Sequence, residues 1–300
     1  MSKTHIGPIF LVLMFLAGSM ALESAGPSDN GRPEVRLGVC DWTIAKSGDP
    51  AALGLAGSLG LDGVQVSLVP KGDSLALVDP ALRRAYMEAA ERTGVAIASF
   101  AIGDLNDVPL KSDPRAEKWL GQAIEVAAAM GVKIILIPFF GKGDLKNDPA
   151  GLDASIAALK RLAPAAENAG VILALENWLS AGDNLKILER VGSPAVRVYY
   201  DVGNSQDAGH PIFDEIRLLG ARIAEFHAKD TKDLYGKGSM DFPAVRKAME
   251  DIGYDGWFVI EGTKMPLGVE KSVRYDADYL RSVFAAKAAQ TDPVETIRYE

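Results

Sequence analysis

A single closed α/β barrel, with eight parallel strands each followed by a helix, is the fold this chain predicts. Eight short apolar or β-branched runs alternate with helical segments, Asp-Pro pairs open four of those segments, and glycines close them. Eight alternating units favour closure into a barrel. An open doubly wound sheet is the alternative, but no Gly-x-Gly-x-x-Gly follows the first run. With 300 residues, 48% of them apolar and 24% charged, the composition is ordinary globular and the length suits one such domain.

Val35-Arg36-Leu37-Gly38-Val39 forms the first strand, and the other seven start near residues 63, 95, 132, 171, 197, 223 and 257. Val64-Gln65-Val66, Val95-Ala96-Ile97, Val132 to Ile137 and Val171 to Leu175 carry the branched side chains that suit a pleated surface. Asp49-Pro50, Asp79-Pro80, Asp113-Pro114 and Asp148-Pro149 each open a segment of helical periodicity. Asp accepts hydrogen bonds from the free N–H groups at a helix start, and Pro at the first helical position loses nothing by lacking its own. Gly60, Gly94, Gly131 and Gly170 end the same segments, where a left-handed residue stops a helix. Pro164 falls inside the fourth helix and is expected to kink or split it. The last helix runs from about Glu270 to Ala289, so the barrel is expected over residues 35–290 with a C-terminal tail at 291–300.

Ahead of the barrel, Lys3 and His5 precede an apolar stretch from Ile6 to Ala17 and then Gly18-Ser19-Met20-Ala21. A basic start, a short apolar stretch and small residues at the break describe a signal peptide over residues 1–21, cut after Ala21, with Ala25 as the alternative. A membrane anchor needs roughly 20 apolar residues. This run is shorter and is interrupted by Pro8. Residues 22–34 read as a linker. The expectation is an exported protein, periplasmic or secreted, with no membrane attachment after cleavage. Cys40 is the one cysteine, so export brings no internal disulfide. Net charge is −8 and no basic tract tracks along the chain, which argues against nucleic acid as a partner.

Glu176, Asp201, His227 and Glu261 each stand at the C-terminal end of a short apolar run, at intervals of 25, 26 and 34 residues. Each interval accommodates one helix and the next strand. A ligand at the same end of four successive strands is the arrangement of a barrel's catalytic rim. Strand alternation puts Ile172, Ala174 and Glu176 on one face, and Glu225, His227 and Lys229 on another such face, opposite apolar neighbours that pack on helices. All four candidate ligands then point inward. Arg197 and Glu225 also point inward, lower down, where each needs a partner and the other is one option. Two Glu, one Asp and one His without thiolates suit one divalent ion, with Mn²⁺ preferred and Mg²⁺, Co²⁺ or Zn²⁺ as alternatives.

Ala174-Leu175-Glu176-Asn177, Tyr199 to Ser205, Glu225-Phe226-His227-Ala228-Lys229-Asp230 and Val259-Ile260-Glu261-Gly262 carry a resemblance. So do Asp241-Phe242-Pro243 and Gly253-Tyr254-Asp255-Gly256-Trp257. Over about residues 35–285 the chain resembles the sugar phosphate isomerase/epimerase family of xylose-isomerase-like TIM barrels. The resemblance implies that Glu176, Asp201, His227 and Glu261 hold one divalent ion. It also implies that Glu176 and Glu261 are the acid/base pair on opposite sides of a bound sugar. One removes a proton beside the substrate carbonyl to give an enediolate, and the other returns a proton. Return to the same carbon epimerises, return to the neighbouring carbon isomerises, and loss of a β-leaving group makes the enzyme a lyase.

Ketose 3-epimerases of that family usually carry a His three residues after the metal Asp and an Arg six after the metal His. Asn204 and Asp233 stand there instead, so the free-sugar contacts are altered. Asn204 is a candidate substrate contact, with helix capping as its bland reading. Lys229 is a second candidate, stabilising the enediolate oxygen or pairing with a ligand carboxylate. Trp42, Phe100, Phe139, Phe140 and Trp178 follow strands at the same rim, and Trp42 and Trp178 are the expected wall for a sugar's C–H face. Cys40 reads as a buried structural thiol.

A trinuclear-zinc phosphoesterase on this barrel would need several histidines, and the chain has three, one of them His5. A xylose isomerase proper would need the ligands of a second ion, which are missing. A non-catalytic sugar-binding barrel is the rival from another class, and the complete ligand set argues against it. The absence of a glycine-rich phosphate loop and of paired basic residues after strands seven and eight points to an unphosphorylated carbonyl-bearing carbohydrate.

Overall fold

Eight parallel strands close on themselves: β1 (Arg36–Cys40), β2 (Gly63–Ser67), β3 (Ala96–Ala101), β4 (Ile134–Pro138), β5 (Ile172–Glu176), β6 (Val196–Asp201), β7 (Ile223–Ala228) and β8 (Trp257–Ile260). Each pairs with the next, and β8 returns to β1 through Arg36–Trp257 and Leu37–Phe258. The computed structural model describes residues 35–262 and 264–285, so the signal peptide, the linker and the tail at 291–300 lie outside the described residues.

Nine helices of the described residues wrap the barrel: α1 (Ala51–Ser58), α2 (Pro80–Thr93), α3 (Pro114–Met130), α4 (Pro149–Ala169), α5 (Ala181–Val191), α6 (Val202–Asp207), α7 (Ile212–Leu219), α8 (Phe242–Asp251) and α9 (Val269–Ala285). The Asp-Pro signals act as expected. Asp79, Asp113 and Asp148 accept from the backbone N–H groups of Ala81, Arg115 and Gly151, and Gly94, Gly131 and Gly170 take left-handed φ values of 70°, 72° and 63°. Asp49 also accepts from the Ala51 N–H, but α1 departs from the pattern, with Pro50 as its N-cap and Leu59 rather than Gly60 as its C-cap.

Of the two outcomes expected at Pro164, splitting does not occur, because α4 continues through it. Lys160 and Pro164 lie on the exposed side of that helix, where water can satisfy a freed carbonyl. Leu159, Leu162, Ala163 and Ala166 hold the buried side in place. The segment after β6 also departs from one helix per strand, since it divides into α6 and α7.

Side chains sort by strand parity. Leu173, Leu175, Val198, Tyr200, Phe226 and Phe258 belong to the main core cluster. Alternating with them, Ala174 and Tyr199 join Ala101 and Leu136 in one inner cluster, while Cys40, Ala98, Trp257 and Val259 form another. Trp257 enters beside Gly63, where a Cβ would lie 2.5 Å from its ring, and the Arg36 guanidinium covers that ring at 4.1 Å.

Arg197 and Glu225 do not resolve each other's charge as one reading of the sequence had it. Arg197 donates to the Pro194 carbonyl, whereas Glu225 accepts from Ser99 and Tyr199. A register shift between β2 and β3 is what sets Ser99 opposite Gln65 and turns it into the barrel.

Candidate metal centre

Glu176, Asp201, His227 and Glu261 meet at the C-terminal ends of β5 to β8, and their ligand atoms all lie within 4.8 Å of one another. Glu176 and Asp201 are the last residues of β5 and β6. Asp201 is also the N-cap of α6, and its Oδ1 accepts from the Asn204 N–H at 2.8 Å. That bond holds the carboxylate so that Oδ2, which has no hydrogen-bond partner, faces the cluster. His227 Nδ1 lies 3.1 Å from Glu176 Oε1 and 3.7 Å from both Asp201 Oδ2 and Glu261 Oε2. Glu261 follows β8, fixed by its N–H to the Ala228 carbonyl.

The residues fit a divalent cation on two counts. Asp201 Oδ2 is buried and makes no hydrogen bond, with only the longer ion-pair contact of Lys229 at 3.3 Å to answer it. Three carboxylates are answered by one ammonium, that of Lys229, so two positive charges would balance the centre. Burial pushes the Glu176 carboxyl up to about 7, against the pull of His227 and with repulsion from Glu261 and Asp201 adding to it. Burial raises Asp201 too, but Lys229 and His227 outweigh it and hold that carboxyl at about 2. Burial disfavours the His227 imidazolium, yet the negative charge facing it raises its pKa well above the ordinary value.

A cavity of about 450 Å³ opens over the centre. Trp42, Trp178, Asn204 and Lys229 all line it, together with Glu176 and Glu261. Asp201 and His227 lie beneath that lining. Lys229 pairs with Glu261 Oε2 at 2.7 Å and Asp201 Oδ2 at 3.3 Å, the ion-pair arrangement weighed against a direct role. Asn204 lies with Nδ2 3.4 Å from Glu176 Oε1, and the capping of α6 falls to Asp201. Trp178 stacks edge-on with Phe140, and its carbonyl is 3.1 Å from His210 Nε2. Phe100 and Phe139 stand in the core behind the rim, away from this wall. Asp233 is exposed and does not line the cavity.

Other residues of the site carry no sequence pattern strong enough to single them out. Ser47, Ser67, Asp104 and Asn106 line the cavity from the exits of β1 to β3. Asp41, fully buried, ties two of those exits by accepting from Gly48 N–H and from Ser67 N–H and Oγ. Gln65 lies 2.8 Å from His227 Nε2, and its placement between two valines in a strand was the available signal. Cys40 is buried as expected, and burial pushes its thiol up to about 12.

The chain belongs to the xylose isomerase-like TIM barrel family, whose model matches residues 53–283. The 2-epi-5-epi-valiolone 7-phosphate 2-epimerase of Actinoplanes sp. is 31% identical over 197 residues, which cover 65% of this chain and 72% of that protein. The ketose 3-epimerase of Arthrobacter globiformis is 31% identical over 192 residues, covering 57% of this chain and 65% of the relative. Among solved structures, the apo 3-keto-D-glucoside 4-epimerase from E. coli superposes with a TM-score of 0.71 at 16% identity, over 83% of this chain and 100% of that one, a likeness of fold.

Proposed function

We propose that this protein is a divalent-metal-dependent sugar epimerase or isomerase that moves a proton beside a substrate carbonyl. One observation carries the reading: of the four candidate ligands, only Glu176 and Glu261 also line the cavity, where they can touch a substrate C–H bond. Sugar epimerases among the relatives support the same class. Glu176, Asp201, His227 and Glu261 would hold the ion, with Mn²⁺ the first choice for a carboxylate-rich set. When bound, it would supply Lewis-acid polarisation of the carbonyl oxygen.

The chain's own residues do the rest. One glutamate takes the proton from the carbon next to the carbonyl, and the other delivers a proton to the resulting enediolate. Trp42 and Trp178 offer flat faces to the ring's C–H surface, and Asn204 offers an amide to its hydroxyls. Lys229 keeps Glu261 oriented and adds positive charge beside the developing oxyanion.

The substrate is a small unphosphorylated carbohydrate. Although the Actinoplanes relative is named for a phosphorylated substrate, Lys229 is the one basic residue among those lining this cavity and two carboxylates already engage it. A keto-glycoside is the second reading, favoured by a cavity of about 450 Å³, within the range that takes ligands larger than one ring. Proton removal beside its keto group would let the aglycone leave, a lyase reaction from the same first step. Export, read from Lys3 to Ala21, would place the enzyme where such sugars are released.

The test incubates Mn²⁺-loaded protein with ketoses, keto-glycosides and sugar phosphates in deuterated water. Deuterium at the carbon beside the carbonyl of a neutral sugar is expected. Incorporation confined to the phosphates would overturn the substrate assignment, and none in any panel would overturn the proton-transfer reading.

A further inference from the structure

Leading down from His227 of the ligand cluster, Gln65, Ser99, Tyr199 and Glu225 form with it a buried hydrogen-bonded chain across β2, β3, β6 and β7. Its direction is fixed from one end. Ser99 Oγ and the Tyr199 hydroxyl both donate to Glu225 Oε1, at 2.8 and 3.1 Å. Each hydroxyl has a single hydrogen, so having donated it, each can only accept from a third group. Gln65 Nε2 supplies both of those bonds, at 2.9 and 3.1 Å. The amide is thereby oriented, and its Oε1 faces His227 Nε2 at 2.8 Å. An amide oxygen there requires a hydrogen on Nε2. The direction holds whether Glu225 is ionised or carries its proton on Oε2, the oxygen without a partner.

The second ring nitrogen, Nδ1, is the one that faces Glu176, Asp201 and Glu261. Tyr199 also packs against the imidazole, with ring centroids 4.4 Å apart. We propose that Gln65 is a positioning residue for the metal centre: oriented by Ser99, Tyr199 and Glu225, it holds His227 as the Nε2–H tautomer and so presents Nδ1 to the ion. The inference rests on the metal reading above. It assigns the network to ligand geometry rather than to filling the barrel. A partner of this kind fixes the ring, raises its basicity, and typically changes metal affinity 10–100-fold when removed.

The experiment uses the protein loaded with Zn²⁺, which is diamagnetic, and labelled with ¹⁵N at histidine. Long-range ¹H–¹⁵N correlations are expected to show His227 protonated at Nε2 and metal-bound at Nδ1. Gln65→Met, which removes the acceptor at similar volume, is expected to weaken Zn²⁺ binding about 10–100-fold in chelator competition. A spectrum with Nε2 on the metal, or a folded Gln65→Met variant that binds as tightly as wild type, would overturn the assignment. If Gln65→Met does not fold, the wild-type spectrum decides alone. A wild-type protein that takes up no Zn²⁺ at His227 would remove the metal reading and this inference together, whereas binding through Nε2 would remove only this one.

Discussion

Trp42 donates its indole N–H to Glu261 Oε1 at 3.2 Å, while Lys229 holds the other oxygen of the same carboxylate at 2.7 Å. The tryptophan, read from the sequence as a wall for sugar, therefore also aims a candidate proton carrier. Its ring packs edge-on against His227 as well, with centroids 6.1 Å apart.

Trp42→Phe keeps an aromatic face and releases Oε1. A hydrogen bond to a charged group contributes about 1.5–3 kcal/mol. The expected result is a fall in kcat of roughly 10–100-fold with KM within a few-fold of wild type. Steady-state kinetics on the substrate identified by deuterium exchange checks it. A change in KM alone would make Trp42 a wall and nothing more.

Glu176→Gln and Glu261→Gln keep an oxygen at each position but cannot carry the proton. Each is expected to lower kcat by about 10²–10⁴ while the sugar still binds. Calorimetric titration beside turnover separates the two effects. Near-normal turnover in both variants with metal bound would contradict the acid/base pairing.

Asp276 offers a test away from the site. It is 1% exposed, accepts the Tyr235 N–H at 2.9 Å, and burial, with Asp230 and Asp233 adding repulsion, pushes its carboxyl up to about 7. The folded pKa is above the unfolded one, so the folded chain holds a proton that the unfolded chain releases. This group's contribution to stability is therefore lost as pH rises through about 4 to 7. Asp276→Asn keeps the acceptor and stays neutral. Its Tm is expected to exceed that of wild type at pH 8 and to converge with it near pH 4. A constant difference across that range would contradict the assignment.

Export has a direct check in the N-terminus of the chain expressed from Met1. Intact-mass measurement is expected to find Leu22 first, after cleavage following Ala21, in the extracytoplasmic fraction. An intact Met1 species retained in the cytoplasm would contradict the proposal.

Much of the barrel was legible because its punctuation is chemical and local. Asp79, Asp113 and Asp148 cap helices through their own side chains, and Gly94, Gly131 and Gly170 take a backbone conformation that most residues avoid. Period-two alternation then put Glu176, Asp201 and His227 on the inner face, which needs only strand geometry. The aim of Trp42 at Glu261 was not legible, since 219 residues separate them and only closure of β8 on β1 brings them together. Gln65 looked like one polar residue in an apolar strand until the shifted register set Ser99 opposite it. Pro164 does not split α4 because it and Lys160 fall on the exposed side, where water can replace the missing hydrogen bond. The cavity residues Ser47, Asp104 and Asn106 sit on strand exits, where no period selects them.

The metal centre is tested most directly by the metal content of the purified protein and of His227→Ala, measured by elemental analysis with anomalous scattering to place the ion. About one divalent ion per wild-type chain is expected, among Glu176, Asp201, His227 and Glu261, with most of it lost in His227→Ala. A wild-type protein that binds no ion there in excess Mn²⁺, or a folded His227→Ala variant that binds it as well as wild type, would contradict it.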